Sequence, residues 1–349
     1  VELYYAMKSN PDPNILQLIR HLVDGIDVAS YGEVCIADQA GYSSDRFLHS
    51  HPVKKEQDIE DCIKHGIRWF VFDNFDEIPK LQRFASKINL LLRVAIKNDS
   101  CVVDLSSKYG ADQDSVLPLL FKARNAGLNV RGISFHVGSQ SADPAIYKSA
   151  LLKIKNIFNE AAKFGFSFDT LDIGGGFPIS YRTSFPDRYE FCRVVSGALK
   201  KYFPGNIRII AEPGRIISGD ALTHVVSVTG KSYRNNVPWY YIDDGLYGAF
   251  SGKLFDHCDY RLVSEKPGPY EECVVAGPTC DSIDIVSRDQ KLPELEVGDL
   301  LLAPGMGAYT VASATNFNGF SVPETLVFYN EEGDSILDDF AATESLSVA

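Results

Sequence analysis

The stretch Val1-Glu2-Leu3-Tyr4-Tyr5-Ala6-Met7-Lys8-Ser9-Asn10 is the key to the rest of the chain. Its apolar and aromatic residues predict a buried strand that carries one lysine to its C-terminal end and stops at Asn10-Pro11. Burying an ammonium group costs several kcal/mol unless something compensates for the lost water. The compensation is either covalent, through a Schiff base between Lys8 and an aldehyde, or a side chain that snorkels to solvent.

Beyond this strand, short β-rich runs alternate with amphipathic stretches, which is typical of βα units and a parallel sheet. Helical spacing of apolar residues is clear in residues 14–23, 32–40, 55–65 and 146–164. Strands are predicted at residues 3–8, 26–29, 47–50, 69–72, 90–94, 132–136, 170–173 and 207–211. The α/β fold class that follows is a TIM (β/α)8 barrel over residues 1–217, with its chemistry at the C-terminal ends of the strands.

Polar residues collect at those predicted strand ends, whereas a random scatter would place them along strands and helices alike. Each has a structural explanation of its own, for instance as a hydrogen-bonded core histidine, but together they indicate a site. The residues are Lys8, Asp27, Ser30, His49, His51, Arg93, His136, Asp172, Gly174, Gly175, Gly176 and Glu212.

After the barrel, β-rich runs follow one another without intervening helices, separated by turns such as Lys266-Pro267-Gly268-Pro269. The runs are residues 222–228, 239–242, 273–276, 300–303 and 325–329. They predict a smaller antiparallel β domain over residues 218–333. Residues 334–349 are acidic and then rich in Ala, Ser and Thr, which predicts a partly mobile tail.

The net charge of −12 and the lack of a clustered basic surface argue against nucleic acid as a partner and mildly favour a small cationic substrate. No apolar run is long enough for a membrane span, and no signal-peptide pattern is visible, so we expect a cytoplasmic protein. The seven cysteines form no CxxC pairs, and we therefore expect neither a disulfide framework nor a metal site.

Two loops supply groups that suit a phosphate. Gly174-Gly175-Gly176 follows the seventh predicted strand and lets backbone N–H groups approach an anion closely, although a lone glycine loop is weak evidence. Glu212-Pro213-Gly214-Arg215 follows the eighth strand, and Arg215 can pair with phosphate oxygens. Glu212 would keep a pyridine nitrogen protonated, unless it forms only a surface pair with Arg215. Together with Lys8, these groups predict pyridoxal 5'-phosphate as the cofactor.

Eight segments occur in an order that resembles the ornithine/lysine decarboxylase-like family of fold-type III, pyridoxal phosphate-dependent decarboxylases. The resemblance extends over nearly the whole chain. The segments are YYAMKSN (4–10), DVASYGE (27–33), SFHVGSQ (134–140), LDIGGGFP (171–178), AEPGR (211–215), DDGLYGAF (243–250), GPTCDSID (277–284) and GAYT (307–310).

The resemblance implies a role for each matching residue. Lys8 would bind the aldehyde, Glu212 would bind the pyridine nitrogen, and His136 would stack on the cofactor ring. Asp27 and Arg93 would line the cofactor pocket. The groups that would hold the phosphate are Ser139, Gly174, Gly175, Gly176, Gly214, Arg215 and Tyr309.

The same resemblance implies a homodimer with shared active sites, in which the 277–284 loop reaches the partner's cofactor. Cys280 would donate the proton that replaces the lost carboxylate at Cα. Asp281 and Asp244 would bind the distal ammonium of a basic amino acid. Paired carboxylates attract such a cation and would repel the second carboxylate of a diacid. Members of the family carry further residues before the lysine strand, so we expect either a truncated chain or a β domain completed differently.

The expected reaction is decarboxylation of L-ornithine, or of L-lysine, to putrescine or cadaverine and carbon dioxide. Arginine, or an amino acid on a larger natural-product scaffold, is an alternative substrate. An alternative of another class is a decarboxylase-like regulatory protein without catalysis, which would be expected to lose some of Lys8, Glu212, Arg215 and Cys280. An amino acid racemase would need a second base in place of Cys280.

Overall fold

The computed structural model describes residues 1–182, 184–185 and 187–328, and its N-terminal part is a closed barrel of eight parallel strands. The barrel strands are β1 Glu2–Ala6, β2 Gly25–Val28, β3 Phe47–His49, β4 Trp69–Phe72, β5 Asn89–Ala95, β7 Val130–His136, β9 Thr170–Asp172 and β10 Arg208–Ala211. Two short strands, β6 Cys101–Val103 and β8 Ser139–Ser141, pair with each other outside the barrel. The predicted TIM barrel is confirmed, with strand limits that differ by at most two residues at either end.

Helices follow the strands and cover the outside of the barrel. Local signals set several helix ends: Asp12 and Ser30 accept backbone N–H groups at the starts of α1 and α2, and Gly66, with φ of 113°, ends α3. The helices are α1 Pro13–Ile19, α2 Tyr31–Gln39, α3 Glu56–His65, α4 Glu77–Gln82, α5 Gln113–Asn125, α6 Ala145–Lys163, α7 Arg188–Tyr202, α8 Arg215–Ser218 and α9 Gly252–Phe255.

The barrel lumen is packed at its N-terminal end and polar at its C-terminal end. Tyr4, Leu48, Val71, Leu91 and Ile210 form a separate buried cluster inside the barrel. Because side chains alternate along a strand, the residues two positions further on also face the lumen. Those positions hold Ala6, Arg93 and Glu212, and Asp27 stands beside Leu48 in the strand register. The packed layers therefore support a polar mouth.

The second part of the structure is a five-stranded sheet in the order β14-β13-β12-β11-β15. Its strands are β11 His224–Arg234, β12 Val237–Ile242, β13 Glu271–Ala276, β14 Ile285–Leu292 and β15 Leu300–Ala303. The sheet is mixed rather than wholly antiparallel as expected, because β12 and β13 run parallel. A hairpin turn cannot join parallel neighbours, and the connection between these two strands instead carries α9.

Two further details of this domain correct the sequence analysis. Strand β14 was not predicted, and residues 325–328 form no strand although a run at 325–329 was expected. Leu326 and Phe328 are exposed, and a strand requires a hydrogen-bonded neighbour as well as apolar residues. Residue 329 and the tail predicted at 334–349 lie outside the described residues. None of the described helices combines the length and apolar character needed to cross a bilayer.

Candidate active site

Lys8 lies at the mouth of the barrel, in a 3-10 turn formed by Met7–Ser9 directly after β1. Its Nζ contacts Oδ2 of Asp27 at 2.6 Å, and 44% of the lysine side chain is exposed while Asp27 is almost fully buried. Burial lowers the pKa of Lys8, but the charges of Asp27 and Glu212 outweigh that effect and raise it above its ordinary value. The ammonium group is thus held in place while one side of it stays accessible.

Three buried carboxyl groups surround this end of the lumen. Asp27, Asp172 and Glu212 are 1%, 0% and 7% exposed. Burial raises the pKa of Glu212 well above its ordinary range, and the neighbouring charges of Asp172 and Asp27 raise it further. Such a site binds a cationic group readily, because a positive charge offsets the cost of keeping several carboxylates away from water.

His136 ends β7, and its ring is held as a neutral imidazole. Its Nδ1 accepts the N–H of Gly138 at 2.9 Å, so the ring proton resides on Nε2. Burial lowers the pKa of His136 well below its ordinary value, and the positive charges of Arg93 and Lys8 lower it further. Arg93, on the adjacent strand β5, lies 5.3 Å from the centroid of the Tyr109 ring.

The glycine loop after β9 is tightly enclosed. Gly174 and Gly176 have φ values of 64° and 110°, which favour glycine. A Cβ atom at Gly174, Gly175 or Gly176 would collide with the carbonyl oxygen of Phe135, Glu212 or Gly138, respectively. Only glycine fits at these positions, because the loop packs directly against the backbone of neighbouring segments.

Arg215 is a buried cation at the start of α8, and only 4% of it is exposed. Its guanidinium donates to Tyr181 Oη at 2.7 Å and to Ser139 Oγ at 3.3 Å, and it pairs with Asp256. The guanidinium also lies 4.7 Å from the centroid of the Tyr309 ring. Its Nε is buried and has no acceptor among the described residues, which leaves one donor for a further anion.

A loop of the second domain packs directly on the turn that carries Lys8. The N–H of Tyr309 donates to the carbonyl of Ser9 at 2.8 Å, and Nδ2 of Asn10 donates to the carbonyl of Gly307 at 2.8 Å. Gly214 belongs to the same contact, because a Cβ atom there would lie 3.0 Å from Cβ of Ser9. The second domain therefore helps to shape the mouth of the barrel.

Cys280, Asp281 and Asp244 lie in the second domain. Asp281 accepts a hydrogen bond from Tyr247 Oη at 2.5 Å, and Cys280 is exposed. Asp244 is nearly buried. Its Oδ2 contacts His224 Nε2 at 2.7 Å and accepts the N–H of Ala249, and its Oδ1 accepts the N–H of Gly245. These bonds tie Asp281 and Asp244 to their own domain, and the roles of all three residues toward a substrate remain predictions.

The sequence analysis missed some residues of the site and included others that lie apart from it. Asp256 and Tyr181 hold Arg215, but neither stands at the end of a barrel strand or belongs to a recognisable motif. Asp172 was noted at a strand end without a role. His49 faces the helix layer rather than the lumen and stacks on Phe70 with centroids 5.5 Å apart, while His51 contacts Tyr109 Oη at 3.2 Å.

The residues present fit pyridoxal phosphate. Four features meet at the mouth of the barrel: a half-exposed lysine, a buried carboxyl group, a glycine loop and a buried arginine with a free donor. The lysine suits the aldehyde and the carboxyl group suits the pyridine nitrogen. The glycine loop and the arginine suit the phosphate. The carboxyl ends of the last two strands of a TIM barrel are also its usual phosphate site.

Comparison with known proteins agrees with this assignment. The pyridoxal binding domain of the pyridoxal-dependent decarboxylases matches residues 1–219. Lysine/ornithine decarboxylase of Selenomonas ruminantium is 39% identical over 94% of this chain and 84% of that protein. The crystal structure of lysine/ornithine decarboxylase from Vibrio vulnificus in complex with cadaverine superposes with a TM-score of 0.89 at 36% identity, covering 95% and 88% of the two chains.

A third relative carries a different name. Antizyme inhibitor 2 of Xenopus laevis is 35% identical over 92% of this chain and 74% of that protein. Relatives with different names thus have similar identity to this chain. Overall identity therefore shows the family, whereas the activity has to be inferred from individual residues of the site. By the domain match, the identities over most of the chain and the arrangement of the site, this chain belongs to the family of pyridoxal phosphate-dependent decarboxylases that act on amino acids.

Proposed function

We propose that this protein decarboxylates L-ornithine or L-lysine to putrescine or cadaverine and carbon dioxide. The observation that carries the proposal is the position of Lys8, held by Asp27 at the mouth of the barrel beside Glu212. Pyridoxal phosphate, when bound, supplies the electron sink for the electrons left behind by carbon dioxide. The protein supplies the binding groups, the orientation and the protons.

Each residue at the mouth has a proposed role in holding that cofactor. Lys8 would offer its amine to the aldehyde, and Glu212 would stabilise the positive charge of the pyridine nitrogen. The neutral ring of His136 offers a flat surface for stacking. The phosphate would be held by Arg215 with Ser139 and Tyr309, by Gly214, and by the backbone of Gly174, Gly175 and Gly176. Asp27 and Arg93 would line the pocket.

The remaining groups come from the second domain, and we propose that they act across a homodimer with shared active sites. Cys280 is exposed on its own chain, as a residue that completes a neighbour's site must be. Its thiol would donate the proton to Cα, and Asp281 and Asp244 would bind the distal ammonium. Asp281 is partly exposed, which leaves it open to a cation. The cytoplasmic location expected from the sequence stays a prediction.

The direct test is release of carbon dioxide from a panel of amino acids by the purified protein with added pyridoxal phosphate. Ornithine and lysine differ by one methylene group, which is worth about 1 to 3 kcal/mol of discrimination, so we expect both to react. Arginine and amino acids on larger scaffolds complete the panel. Turnover of neither ornithine nor lysine, with the cofactor bound, would refute the proposed substrate.

Replacing Arg215 tests the phosphate site. We expect Arg215→Met to weaken cofactor binding by about 10- to 100-fold, because a charge-assisted hydrogen bond is worth about 1.5 to 3 kcal/mol. Cofactor titration followed by absorbance measures the change. The matched control is Arg188→Met, since Arg188 is half exposed and pairs with Asp220 at 2.6 Å. Equal cofactor affinity in the Arg215 variant would place the phosphate elsewhere.

Replacing Cys280 tests the proton donor. We expect Cys280→Ala to lower kcat by about 10²- to 10⁴-fold, the usual contribution of general acid catalysis, while cofactor affinity stays unchanged. Steady-state kinetics and cofactor titration separate the two effects. Cys192→Ala is the control, because Cys192 is also exposed but lies on α7.

Mixing two inactive variants then tests the shared site. Random exchange of subunits between Lys8→Ala and Cys280→Ala gives heterodimers with one intact site, so about a quarter of wild-type activity should return. Recovery of activity supports sites built from two chains. If no activity returns although subunits exchange, each site is built from one chain alone.

A further inference from the structure

Strands β9 and β10 are neighbours in the barrel, and each carries a buried carboxyl group at its C-terminal end. Asp172 closes β9 and faces Ile210 in the strand register, so Glu212, two residues further on, is its diagonal neighbour on the lumen side. The backbone joins them as well, since Glu212 N–H donates to the Gly174 carbonyl at 2.8 Å. Besides burial, the negative charge of Asp172 raises the pKa of Glu212, as expected for neighbouring carboxyl groups.

Protein donors satisfy this pair only in part. Oδ1 of Asp172 accepts the N–H of Gly174 at 2.9 Å. Oδ2 of Asp172 and Oε1 of Glu212 are both buried, and neither has a donor among the described residues. Neighbouring carboxyl groups repel each other when both are ionised. A single proton between the groups would make one of them a donor to the other.

One proton on the pair reduces an excess of negative charge around it. Lys8 and Arg93 contribute two positive charges, and Asp27 contributes one negative charge. His136 and Tyr147 are neutral, because burial lowers the pKa of the histidine and raises that of the tyrosine. With Asp172 and Glu212 both ionised, the negative charges outnumber the positive ones, and the nearby carboxyl group of Glu33, which interacts with Asp27 and Lys8, adds to the acidic surroundings. The charged and titratable groups around the pair are Lys8, Asp27, Glu33, Arg93, His136 and Tyr147.

The expected protonation points the same way. Burial raises the pKa of Asp172 to about 6 and raises that of Glu212 well above its ordinary value. Between the ordinary carboxyl pKa and about 6, the folded chain therefore binds more protons than the unfolded chain, and its stability falls as the pH rises through this window. Two interacting carboxyl groups lose their protons in separate steps, and the charge of the first delays the loss of the second.

We propose that Asp172 and Glu212 hold one proton in common at neutral pH, and that Asp172 is a positioning residue that acts through Glu212. This inference deepens the proposed function and rests on it. When a positively charged pyridine nitrogen lies beside Glu212, the O–H bond of Glu212 breaks and an O–H bond forms on Asp172. Glu212 is then the anion of the pair, and Asp172 donates a hydrogen bond that fixes its carboxylate toward the ring.

The first experiment detects the proton without relying on turnover. Infrared spectra of the purified full chain, before and after addition of pyridoxal phosphate, should show the carbonyl stretch of a protonated carboxyl group at pH 7. The band should disappear in Asp172→Asn after the cofactor is added and persist in the surface control Glu160→Gln. Absence of the band in the wild-type protein would overturn the shared proton, whether or not the protein decarboxylates anything.

The second experiment compares two substitutions that both prevent ionisation at position 172 but differ in size and in hydrogen bonding. Asparagine has nearly the size of aspartate and can donate to Glu212, whereas alanine is smaller and has no side-chain donor. We expect Asp172→Asn to keep the absorbance spectrum of the bound cofactor and kcat within about threefold, and Asp172→Ala to lower kcat by about tenfold or more. We expect kcat of the wild-type protein to fall at alkaline pH, where the pair loses its proton, and we expect no such fall in Asp172→Asn. An equal loss in both variants, or an unchanged alkaline loss in Asp172→Asn, would overturn the role of Asp172.

Discussion

Lys8→Ala is expected to lose at least about 10³-fold in decarboxylation rate, because the variant has no amine to form the covalent link with the cofactor aldehyde. The side chain is half exposed at the mouth of the barrel, and no other described lysine contacts Asp27. Two measurements check the prediction: release of carbon dioxide from ornithine and lysine, and the mass of the protein after borohydride treatment with the cofactor. The wild-type chain should gain the reduced cofactor at Lys8, and the variant should not.

Loss of the ion pair must be separated from loss of the amine. Removing Lys8 leaves Asp27 buried without its partner, which can destabilise the fold. Lys8→Arg keeps the positive charge near Asp27 but offers no primary amine, so it should be folded and inactive. The control Lys64→Ala removes an exposed lysine on α3 that pairs with Glu60 at 3.0 Å, and it should behave like the wild-type protein. Turnover by Lys8→Arg would show that the amine is not required.

The barrel could be predicted from the sequence because its strands are buried on both faces. Runs such as Trp69–Phe72 and Leu90–Leu92 are apolar throughout and are bounded by polar segments, so they are easily recognised. Strand β14 has exposed and buried residues in irregular order, with Arg288 and Asp289 both exposed. Residues 325–328 show the opposite failure, because their apolar character was evident but their lack of a neighbouring strand was not.

Only part of the site could be predicted, for reasons of geometry. Asp27, His136 and Glu212 were expected together because parallel strands end at one edge, and the structure places them together. His49 also ends a barrel strand, but it does not face the lumen. Because side chains alternate along a strand and the preceding residue, Leu48, faces the lumen, His49 lies on the opposite face. The contact of Asp256 with Arg215 joins two domains and leaves no local pattern in the sequence.

Glu212→Gln is expected to lower kcat by about 10²- to 10³-fold, the usual effect of removing one preorganised electrostatic group at a reacting centre. Glutamine preserves the shape of the side chain but removes the negative charge that would keep the pyridine nitrogen protonated, and a neutral ring withdraws electrons poorly. Cofactor affinity should change much less, because Lys8 and Arg215 still hold the aldehyde and the phosphate. Steady-state kinetics with cofactor titration measures both quantities.

The matched control is Glu190→Gln, which changes a half-exposed glutamate that pairs with Arg193 at 2.6 Å on α7. A double variant, Asp172→Ala with Glu212→Gln, connects this prediction to the proton pair. If Asp172 acts only through Glu212, the second substitution should cost nothing beyond the first, and the two effects should be strongly non-additive. Additive losses would mean that Asp172 affects catalysis independently of Glu212. Full activity of Glu212→Gln would mean that Glu212 does not interact with the pyridine nitrogen.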